Sequence, residues 1–500
     1  MQYHALSLNK MEEISRITLI GYEGEKLGNQ LSSNCNKINE IRISDLNVIP
    51  IPLLRVILKG ILLLIKLLYI LFTIPSYDLI IIQNPPSLPA VLAAFIRQIA
   101  GTLFGNRKYN IIIDWHNLGF SFYGYLNPLR IVTYMLEGIM SSLAQGHVCV
   151  SSAMSIWLDN NFRITPTVLY DRPSSIFMVD SNASIRHELL TKLEFTDRKL
   201  FPNLYKDIKH SKDDQTIQTI CKDGNIRMLG ERERVPLLVS STSWTEDEDF
   251  NLLINALLKL DVQLHELSSH FDQRASSLKL REFKNAHMLL TETIGPRVVV
   301  AISGKGALKS KFEKKIQALQ KEGKLDRVAI RTVWLEADMY PHFLGAADLG
   351  LSLHTSSSGL DLPMKVLDMF GSKVPVLAVN FRALTELITP GVNGYIFVNA
   401  QELTDYILHL FFTPKNSLSS LIKLKESISK KTSTWDENWN QNMLPLVKKC
   451  ITKKNSSFLF IIGFVIVGLS VCAYFYILIA YPNEIIEKLK MLYSHNIEIK

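Results

Sequence analysis

The chain of 500 residues is poor in cysteine and has no cysteine pattern that would serve a structural site. No Cys-x-x-Cys pair occurs, which excludes the common zinc-binding and disulfide frameworks and agrees with a reducing compartment. The cysteines are Cys35, Cys149, Cys221, Cys450 and Cys472. A basic helix with interleaved aromatic residues is also lacking, so we expect no nucleic acid as a partner. The modest net charge of +8 instead favours anionic phosphates and lipid headgroups.

Charge is absent from one long stretch near the C-terminus. Residues 458–481 form an uncharged run of 24 residues, enough for a helix to cross a hydrocarbon core of about 30 Å. A buried helix of a soluble domain would normally show a polar stripe, which this run lacks. Four lysines precede it, which places residues 1–457 in the cytosol and the tail 482–500 in a lumen. They are Lys448, Lys449, Lys453 and Lys454.

A second apolar run, residues 53–74, contains three cations. Arg55, Lys59 and Lys66 fall within about 40° of one another on a helix, so they form a narrow basic stripe. We predict a helix in the membrane interface whose basic stripe faces lipid phosphates. An ordinary domain helix with snorkelling side chains is the first alternative, and a full membrane span is the second.

Continuous runs of β-branched and other apolar residues predict parallel strands covered on both faces, hence α/β folding. The first series lies at 77–86, 109–117, 146–152 and 166–173. The second lies at 236–244, 297–306, 328–334, 349–358, 375–379 and 394–398. We therefore predict two doubly wound domains, at 1–175 and 235–415, followed by a helical extension at 416–445. Residues 182–234 lack clear periodicity and are interpreted as an insertion or mobile linker.

Polar residues lie just past many of these strands, where parallel sheets carry their chemistry. Two such domains facing a cleft make the GT-B architecture of nucleotide-sugar glycosyltransferases. After the strand at 297–306, glycines can let the backbone approach a phosphate, and a lysine adds a cation. These residues are Ser303, Gly304, Lys305 and Gly306. A tight turn would explain the same pattern.

Residues 353–371, LHTSSSGLDLPMKVLDMFG, combine small hydroxyl groups with a predicted helix start. The residues at the strand end are interpreted as a binding loop for the nucleotide sugar. They are His354, Ser357, Ser358 and Gly359. On the helix, Lys365 can reach a diphosphate and Asp368 suits ribose hydroxyls. Asp361 precedes the helix and could hold a sugar hydroxyl.

Two further motifs with acidic residues have structural explanations as well as functional ones. Thr245 and Glu248 match a helix capping box, which explains most of the run 245–249. Asp114 and His116 end a buried strand, where a carboxylate beside an imidazole can act as general base. A histidine at a strand end is also commonly structural.

Five motifs together resemble the chitobiosyldiphosphodolichol β-mannosyltransferase family over roughly residues 1–440. The motifs are DWHNLGFS (114–121), VLYDRP (168–173), VSSTSWTEDEDF (239–250), SGKGALK (303–309) and the stretch 353–371. The resemblance implies GDP-mannose as donor, GlcNAc₂-diphosphodolichol as acceptor and inversion to a β1,4 bond. It also implies that the enzyme acts on the cytosolic face of the endoplasmic reticulum membrane. A complex with other mannosyltransferases of the pathway is compatible with the resemblance.

For the site, the resemblance implies a ribose-binding role for Asp368 and transfer without an obligatory metal, although a divalent cation is compatible with it. In retaining GT-B enzymes, two glutamates lie eight positions apart. Asp361 is only seven positions before Asp368, so its role stays open. His116 or Asp114 would deprotonate the acceptor hydroxyl.

Two departures from the family pattern concern the ends of the chain. Family members commonly have a strand and a loop resembling GDIGRSPR directly before MQYHAL, which here contains Met1. We therefore expect a helix at 1–10, a gap in the first sheet, and either a truncated sequence or a compromised enzyme. The family's anchor is often N-terminal, whereas the one predicted here is C-terminal. Another cytosolic-face GT-B transferase of the pathway and an inactive membrane scaffold remain the alternatives.

Overall fold

The structure is a computed structural model that divides into two compact units. It describes residues 1–23, 37–44, 52–75, 77–85, 88–103, 109–125, 127–178, 182–205, 215–230, 233–277, 295–413, 417–431 and 434–452. The first unit comprises Met1–Cys149, Ser155–Leu169 and Trp439–Lys500. The second unit comprises Val150–Met154 and Tyr170–Asn438.

The first unit begins with the helix expected at the N-terminus, α1 (Gln2–Asn9). Strands β1 (Ile17–Tyr22) and β2 (Ile38–Ile43) then pair in parallel as a two-stranded sheet. Within the described ranges this sheet shares no strand pairing with the other sheet of the unit. The strand expected ahead of Met1 lies outside the chain and stays a prediction.

A four-stranded parallel sheet confirms the first predicted strand series, and its strands follow chain order. The strands are β3 (Leu79–Asn84), β4 (Asn110–Trp115), β5 (Gly146–Cys149) and β6 (Thr167–Val168). All residues of β4 are buried, as its unbroken apolar run requires. The accompanying helices are α2 (Pro52–Thr73), α3 (Leu88–Leu103), α4 (Pro128–Ser141) and α5 (Ser152–Phe162), with a 3₁₀ turn at Gly119–Phe122.

Residues 182–234, interpreted as an insertion or mobile linker, are folded into the second unit where the structure describes them. They form α6 (Ala183–Lys192), α7 (Asp197–Leu200), a 3₁₀ turn at Pro202–Tyr205 and the hairpin of β7 (Thr219–Lys222) and β8 (Asn225–Met228). Leu190, Phe195, Phe201 and Ile217 are fully or almost fully buried in one hydrophobic cluster. The elements are too short to show a periodicity, but their apolar residues close one face of the unit.

The second unit is built on a six-stranded parallel sheet, which confirms the second predicted series. Its strands are β9 (Leu237–Ser241), β10 (Val298–Ser303), β11 (Val328–Val333), β12 (Leu349–Ser352), β13 (Val376–Val379) and β14 (Gly394–Phe397). Alternate residues of one strand enter separate hydrophobic layers: Val239 belongs to one cluster and Leu238 to the other. Coverage of both faces explains why these strands read as continuous apolar runs.

The sheet order, β11-β10-β9-β12-β13-β14, reverses direction between β9 and β12. Ligands of open parallel sheets bind outside the carboxyl ends of the strands at such a reversal. The surrounding helices are α8 (Phe250–Ser277), α9 (Lys309–Lys321), α10 (Met339–Ala346), α11 (Met364–Gly371), α12 (Ala400–Phe411) and α13 (Ser417–Lys431). A 3₁₀ turn lies at Leu384–Glu386, and α14 (Trp435–Thr452) carries the chain back into the first unit.

The predicted membrane span, 458–481, lies outside the described residues. Among the helices that the structure describes, none is long and apolar enough to cross a membrane.

The predicted basic stripe of α2 does not form its outer face. The Lys66 ammonium group donates to the backbone and side-chain oxygens of Ser44 at 3.3 and 3.2 Å, so it is held within the unit. Lys59 is half-buried, and the side chain of Arg55 lies outside the described part. The exposed face is apolar, and it is formed by Ile61, Ile65, Tyr69 and Phe72.

Candidate functional site

A chain of polar contacts ties together the ends of β9 and β10 and the start of α11 in the second unit. The Thr242 amide donates to the Ser303 carbonyl at 2.9 Å, and the Thr242 hydroxyl donates to a carboxylate oxygen of Glu248. The other Glu248 oxygen accepts from Lys365 at 3.0 Å. These contacts lie at the reversal of strand order, where a ligand of this sheet is expected.

The loop at 303–306 has glycines because it packs directly on the backbone after β9. A Cβ on Gly304 would lie 1.8 Å from the Thr242 carbonyl oxygen, and one on Gly306 would lie 1.9 Å from that of Ser243. Close backbone packing therefore accounts for both glycines by itself. Lys305 is exposed, and its ammonium group lies 3.7 Å from the ring centre of the exposed Trp334.

The run 245–249 is not a capping box, contrary to the prediction. Helix α8 begins at Phe250, and its first amides, Asn251 and Leu252, donate to the Asp249 carboxylate at 2.9 and 3.0 Å. Glu248 takes no part in capping the helix and pairs with Lys365 instead. The Glu248 side chain is only 2% exposed, so the pair compensates a buried charge.

The serine-rich loop after β12 is organised around Asp361. The Ser356 and Ser358 hydroxyls donate to one Asp361 oxygen, and the Ser356 hydroxyl also accepts from the Gly359 amide at 2.8 Å. Gly359 has φ +72°, a conformation that glycine adopts without strain. Ser357 points to the exposed side of the loop. The predicted binding-loop residues thus share one loop, with Asp361 at its centre.

His354 lies between two carboxylates. Its Nδ1 is 2.8 Å from Asp247, and its Nε2 is 3.9 Å from Asp361. Burial lowers the pKa of His354, but the hydrogen bonds and charges of Asp361 and Asp247 outweigh burial and raise it.

Asp368 projects from α11 and has an unusual ionisation. Burial raises the pKa of its carboxyl to about 7. Tyr340 lies close enough for the Asp368 charge to raise the tyrosine pKa, although burial of Tyr340 is the larger cause. A carboxyl group of this kind gains by accepting hydrogen bonds from a ligand's hydroxyl groups.

In the first unit, Asp114 is fully buried at the end of β4 and contacts two imidazoles. Nε2 of His116 lies 2.8 Å from its Oδ2, and Nε2 of His4 lies 3.3 Å from the same oxygen. Burial alone would raise the pKa of Asp114, but the charge and hydrogen bond of His116, together with the hydrogen bond from His4, hold it well below its usual range. The structure thus joins the predicted pair and leaves His116 as the partly exposed member.

A buried carboxylate fixes the loop that follows His116. Glu137 of α4 accepts from the Asn84 side chain at 2.9 Å and from the Gly119 amide at 2.7 Å. Asn84 also donates to the Asn117 carbonyl at 3.0 Å. Burial raises the pKa of Glu137, and these hydrogen bonds oppose the rise.

Several residues of both clusters were not predicted as site residues from the sequence. Asp247 and Glu248 were explained as part of a helix start, while Glu137 belongs to an ordinary helical stretch. His4 lies in a short helix without any motif. No local signal marks their roles, since each has a partner far along the chain. Within the described ranges, no group of three His, Cys, Asp or Glu residues could hold a metal ion.

Comparison with known structures shows the fold. Anabaena HepE in complex with UDP matches with a TM-score of 0.53 at 13% identity, covering 90% of this chain and 96% of that one. Sucrose-phosphate synthase from Thermosynechococcus elongatus matches with a TM-score of 0.55 at 10% identity, covering 90% and 91%. The fold is therefore that of the GT-B glycosyltransferases, with parallel α/β sheets.

Sequence comparison shows the family. Residues 277–412 match the family model described as glycosyl transferases group 1. Chitobiosyldiphosphodolichol beta-mannosyltransferase of Mus musculus is 36% identical, over 89% of this chain and 86% of the relative. The protein of that name from Dictyostelium discoideum is 32% identical, over 88% and 89%. UDP-glycosyltransferase TURAN of Arabidopsis thaliana is 31% identical, over 91% and 95%. The chain belongs to the chitobiosyldiphosphodolichol β-mannosyltransferase family of glycosyltransferases.

Proposed function

We propose that the protein transfers mannose from GDP-mannose to GlcNAc₂-diphosphodolichol and forms a β1,4 linkage with inversion. The observation that carries this proposal is the 36% identity, over 89% of the chain, to a relative named for that reaction. The polar cluster at the strand reversal of the second unit supports it, because a nucleotide sugar needs cations, amides and hydroxyl acceptors together.

The second unit holds the donor. Lys365, presented by the first turn of α11, and the helix amides neutralise the diphosphate. The loop at 303–306 and His354 add donors to its oxygens. Asp368 accepts from the ribose hydroxyls and Asp361 from a hydroxyl of the mannose. In this arrangement Glu248 keeps Lys365 positioned before the donor arrives.

The first unit supplies the general base. His116 removes the proton from the acceptor hydroxyl as that oxygen attacks the anomeric carbon, and the bond to GDP breaks on the opposite face. Asp114 is too buried to reach an acceptor, so it orients His116 and stabilises the imidazolium that forms. One displacement of this kind inverts the anomeric centre.

The transfer is proposed to need no obligatory metal, because fixed cations and helix amides can stabilise the leaving diphosphate. Activity that survives chelation by EDTA supports this part of the proposal. Activity that is lost on chelation and restored by a divalent cation contradicts it.

The catalytic units are proposed to work on the cytosolic face of the endoplasmic reticulum membrane, anchored by residues 458–481. The exposed apolar face of α2, formed by Ile61, Ile65, Tyr69 and Phe72, would enter the bilayer interface near the lipid acceptor. Arg97, whose guanidinium lies 4.9 Å from the ring centre of Phe72, adds a cation beside that face. A complex with other mannosyltransferases of the pathway would keep the lipid product nearby.

A UDP-sugar donor is the second candidate, favoured by the name of the Arabidopsis relative. Incubating the purified chain and a short-chain acceptor separately with GDP-mannose and with UDP-sugars distinguishes the two. We expect product with GDP-mannose alone. Product only from a UDP-sugar supports the second candidate, and no product from any donor supports an inactive scaffold.

A further inference from the structure

His4 and Trp439 extend the Asp114–His116 pair into a relay of four side chains, three of them buried and His116 partly exposed. The Trp439 indole N–H donates to Nδ1 of His4 at 3.1 Å. Nε2 of His4 lies 3.3 Å from Oδ2 of Asp114, the same oxygen that His116 contacts at 2.8 Å. Trp439 is 1% exposed and His4 is 4% exposed, so water does not replace these contacts.

The direction of each hydrogen bond in the relay is fixed by chemistry. An indole nitrogen can only donate, so Nδ1 of His4 must accept and carries no proton. The proton of His4 therefore sits on Nε2 and points to Asp114. Protonating His4 at Nδ1 would break its bond with Trp439 and place two N–H groups in opposition.

We propose that Trp439 and His4 form a hydrogen-bond relay that keeps His4 uncharged and reserves the negative charge of Asp114 for His116. His4 and Trp439 are thus positioning residues, which tune the proton affinity of His116 without touching substrate. The proposal rests on the proposed function only in treating His116 as the general base. The relay itself is a statement about the protonation of two histidines.

Other ionisable groups packed around this strand end have hydrogen-bond partners outside the relay. Glu137 faces the loop after His116 and is bound by Asn84 and by backbone amides. His147, on the neighbouring β5, accepts from the Trp115 indole at 3.3 Å, and burial lowers its pKa to about 4. Changes at Asp114 and His4 should therefore move the titration of His116.

The relay predicts opposite effects for substitutions of His4 and of Trp439. His4→Phe removes a donor from Asp114, so the carboxylate becomes more basic and holds a protonated His116 more strongly. Trp439→Phe keeps a ring in the site but frees Nδ1 of His4 to take a proton. A cationic His4 then competes for Asp114 and weakens the proton affinity of His116. His4→Gln can keep an N–H donor near Asp114.

The test is a pH titration of His116 by nuclear magnetic resonance in the full chain, labelled with ¹³C at histidine Cε1 and kept in detergent. His116→Gln assigns the signal. We expect its midpoint to rise by about one pH unit in His4→Phe and to fall by a similar amount in Trp439→Phe, each about a tenfold change in proton affinity. His4→Gln should stay near the wild type. Trp157→Phe, in the same unit but outside the relay, is the matched control.

Shifts of equal sign in both variants, or no shift in either, overturn the relay. The acidic limb of the pH–rate profile for mannose transfer provides the second readout. If the His116 signal moves as expected while that limb does not, the relay stands and the proposed role of His116 as base fails.

Discussion

The ammonium group of Lys365 lies 3.0 Å from a carboxylate oxygen of Glu248, whose side chain is almost completely buried. Lys365→Met should therefore have two effects: it removes a cation from the donor site, and it leaves a buried charge without compensation. The second effect should lower the free energy of unfolding by about 3–5 kcal/mol. Thermal unfolding and GDP titration measure the two effects separately.

The double variant Lys365→Met with Glu248→Gln separates binding from stability. It should recover most of the lost stability, because no unpaired charge remains buried, but it should not recover affinity for GDP. Full recovery of GDP binding in the double variant would show that Lys365 acts only as a counterion for Glu248.

Asp368 should make stability depend on pH. Its pKa is raised from 3.8 to about 7 in the folded chain, so its contribution is fully present below about pH 4 and is lost as pH rises through 7. Asp368→Asn does not ionise, and at pH 8 it should be more stable than the wild type by up to about 4 kcal/mol.

Thermal unfolding at pH 5 and pH 8 checks this expectation, and the difference between the two proteins should be more than twice as large at pH 8 as at pH 5. Asp338→Asn, at an exposed carboxyl beside α10, is the control and should behave like the wild type at both values. If ribose hydroxyls bind Asp368, the same substitution should also weaken GDP binding.

His116→Ala should lower kcat for mannose transfer by about 10²–10⁴-fold, the usual contribution of a general base. The KM for GDP-mannose should change little, since the proposed donor residues lie in the second unit. Initial rates over a range of both substrates make the measurement. His409→Ala, an exposed histidine on α12, is the control, and unchanged transfer by His116→Ala would remove His116 from the mechanism.

Glutamates on the outer face of α2 should slow mannose transfer at a bilayer surface. The double variant Ile65→Glu with Tyr69→Glu places two charges where the apolar face would enter lipid, at a cost that depends on depth. We expect slower transfer to a long-chain acceptor in vesicles and unchanged transfer to a short-chain acceptor in detergent. The matched control introduces glutamates at Met135 and Ile156, exposed apolar positions of the same unit. Equal losses with both acceptors, or in both proteins, would argue against lipid contact.

The strands were predictable because burial on both faces imposes unbroken apolar runs, as in β4 and β10. Strand ends then located the loops at 303–306 and 354–361 and the start of α11. The same reasoning failed for Glu248, because its match to a capping box was local while its partner, Lys365, is 117 positions away. It also failed for His4, whose role depends on Asp114 and Trp439.

Two larger features of the fold also depend on contacts between distant parts of the chain. Residues 182–234 show little periodicity, yet Leu190, Phe195 and Phe201 are buried against the main sheet of the second unit. The cations of α2 were assigned to lipid phosphates from their angular spacing and their apolar surroundings. Lys66 instead bonds with Ser44 of a neighbouring segment, a contact that helix geometry cannot reveal.

The central claim is the formation of a β-mannosyl bond, and product linkage tests it most directly. The chain is incubated with GDP-mannose and a short-chain chitobiosyl diphosphate lipid, and the isolated product is treated separately with a β-mannosidase and an α-mannosidase. The account predicts one added mannose that only the β-mannosidase releases. Release by the α-mannosidase would contradict it.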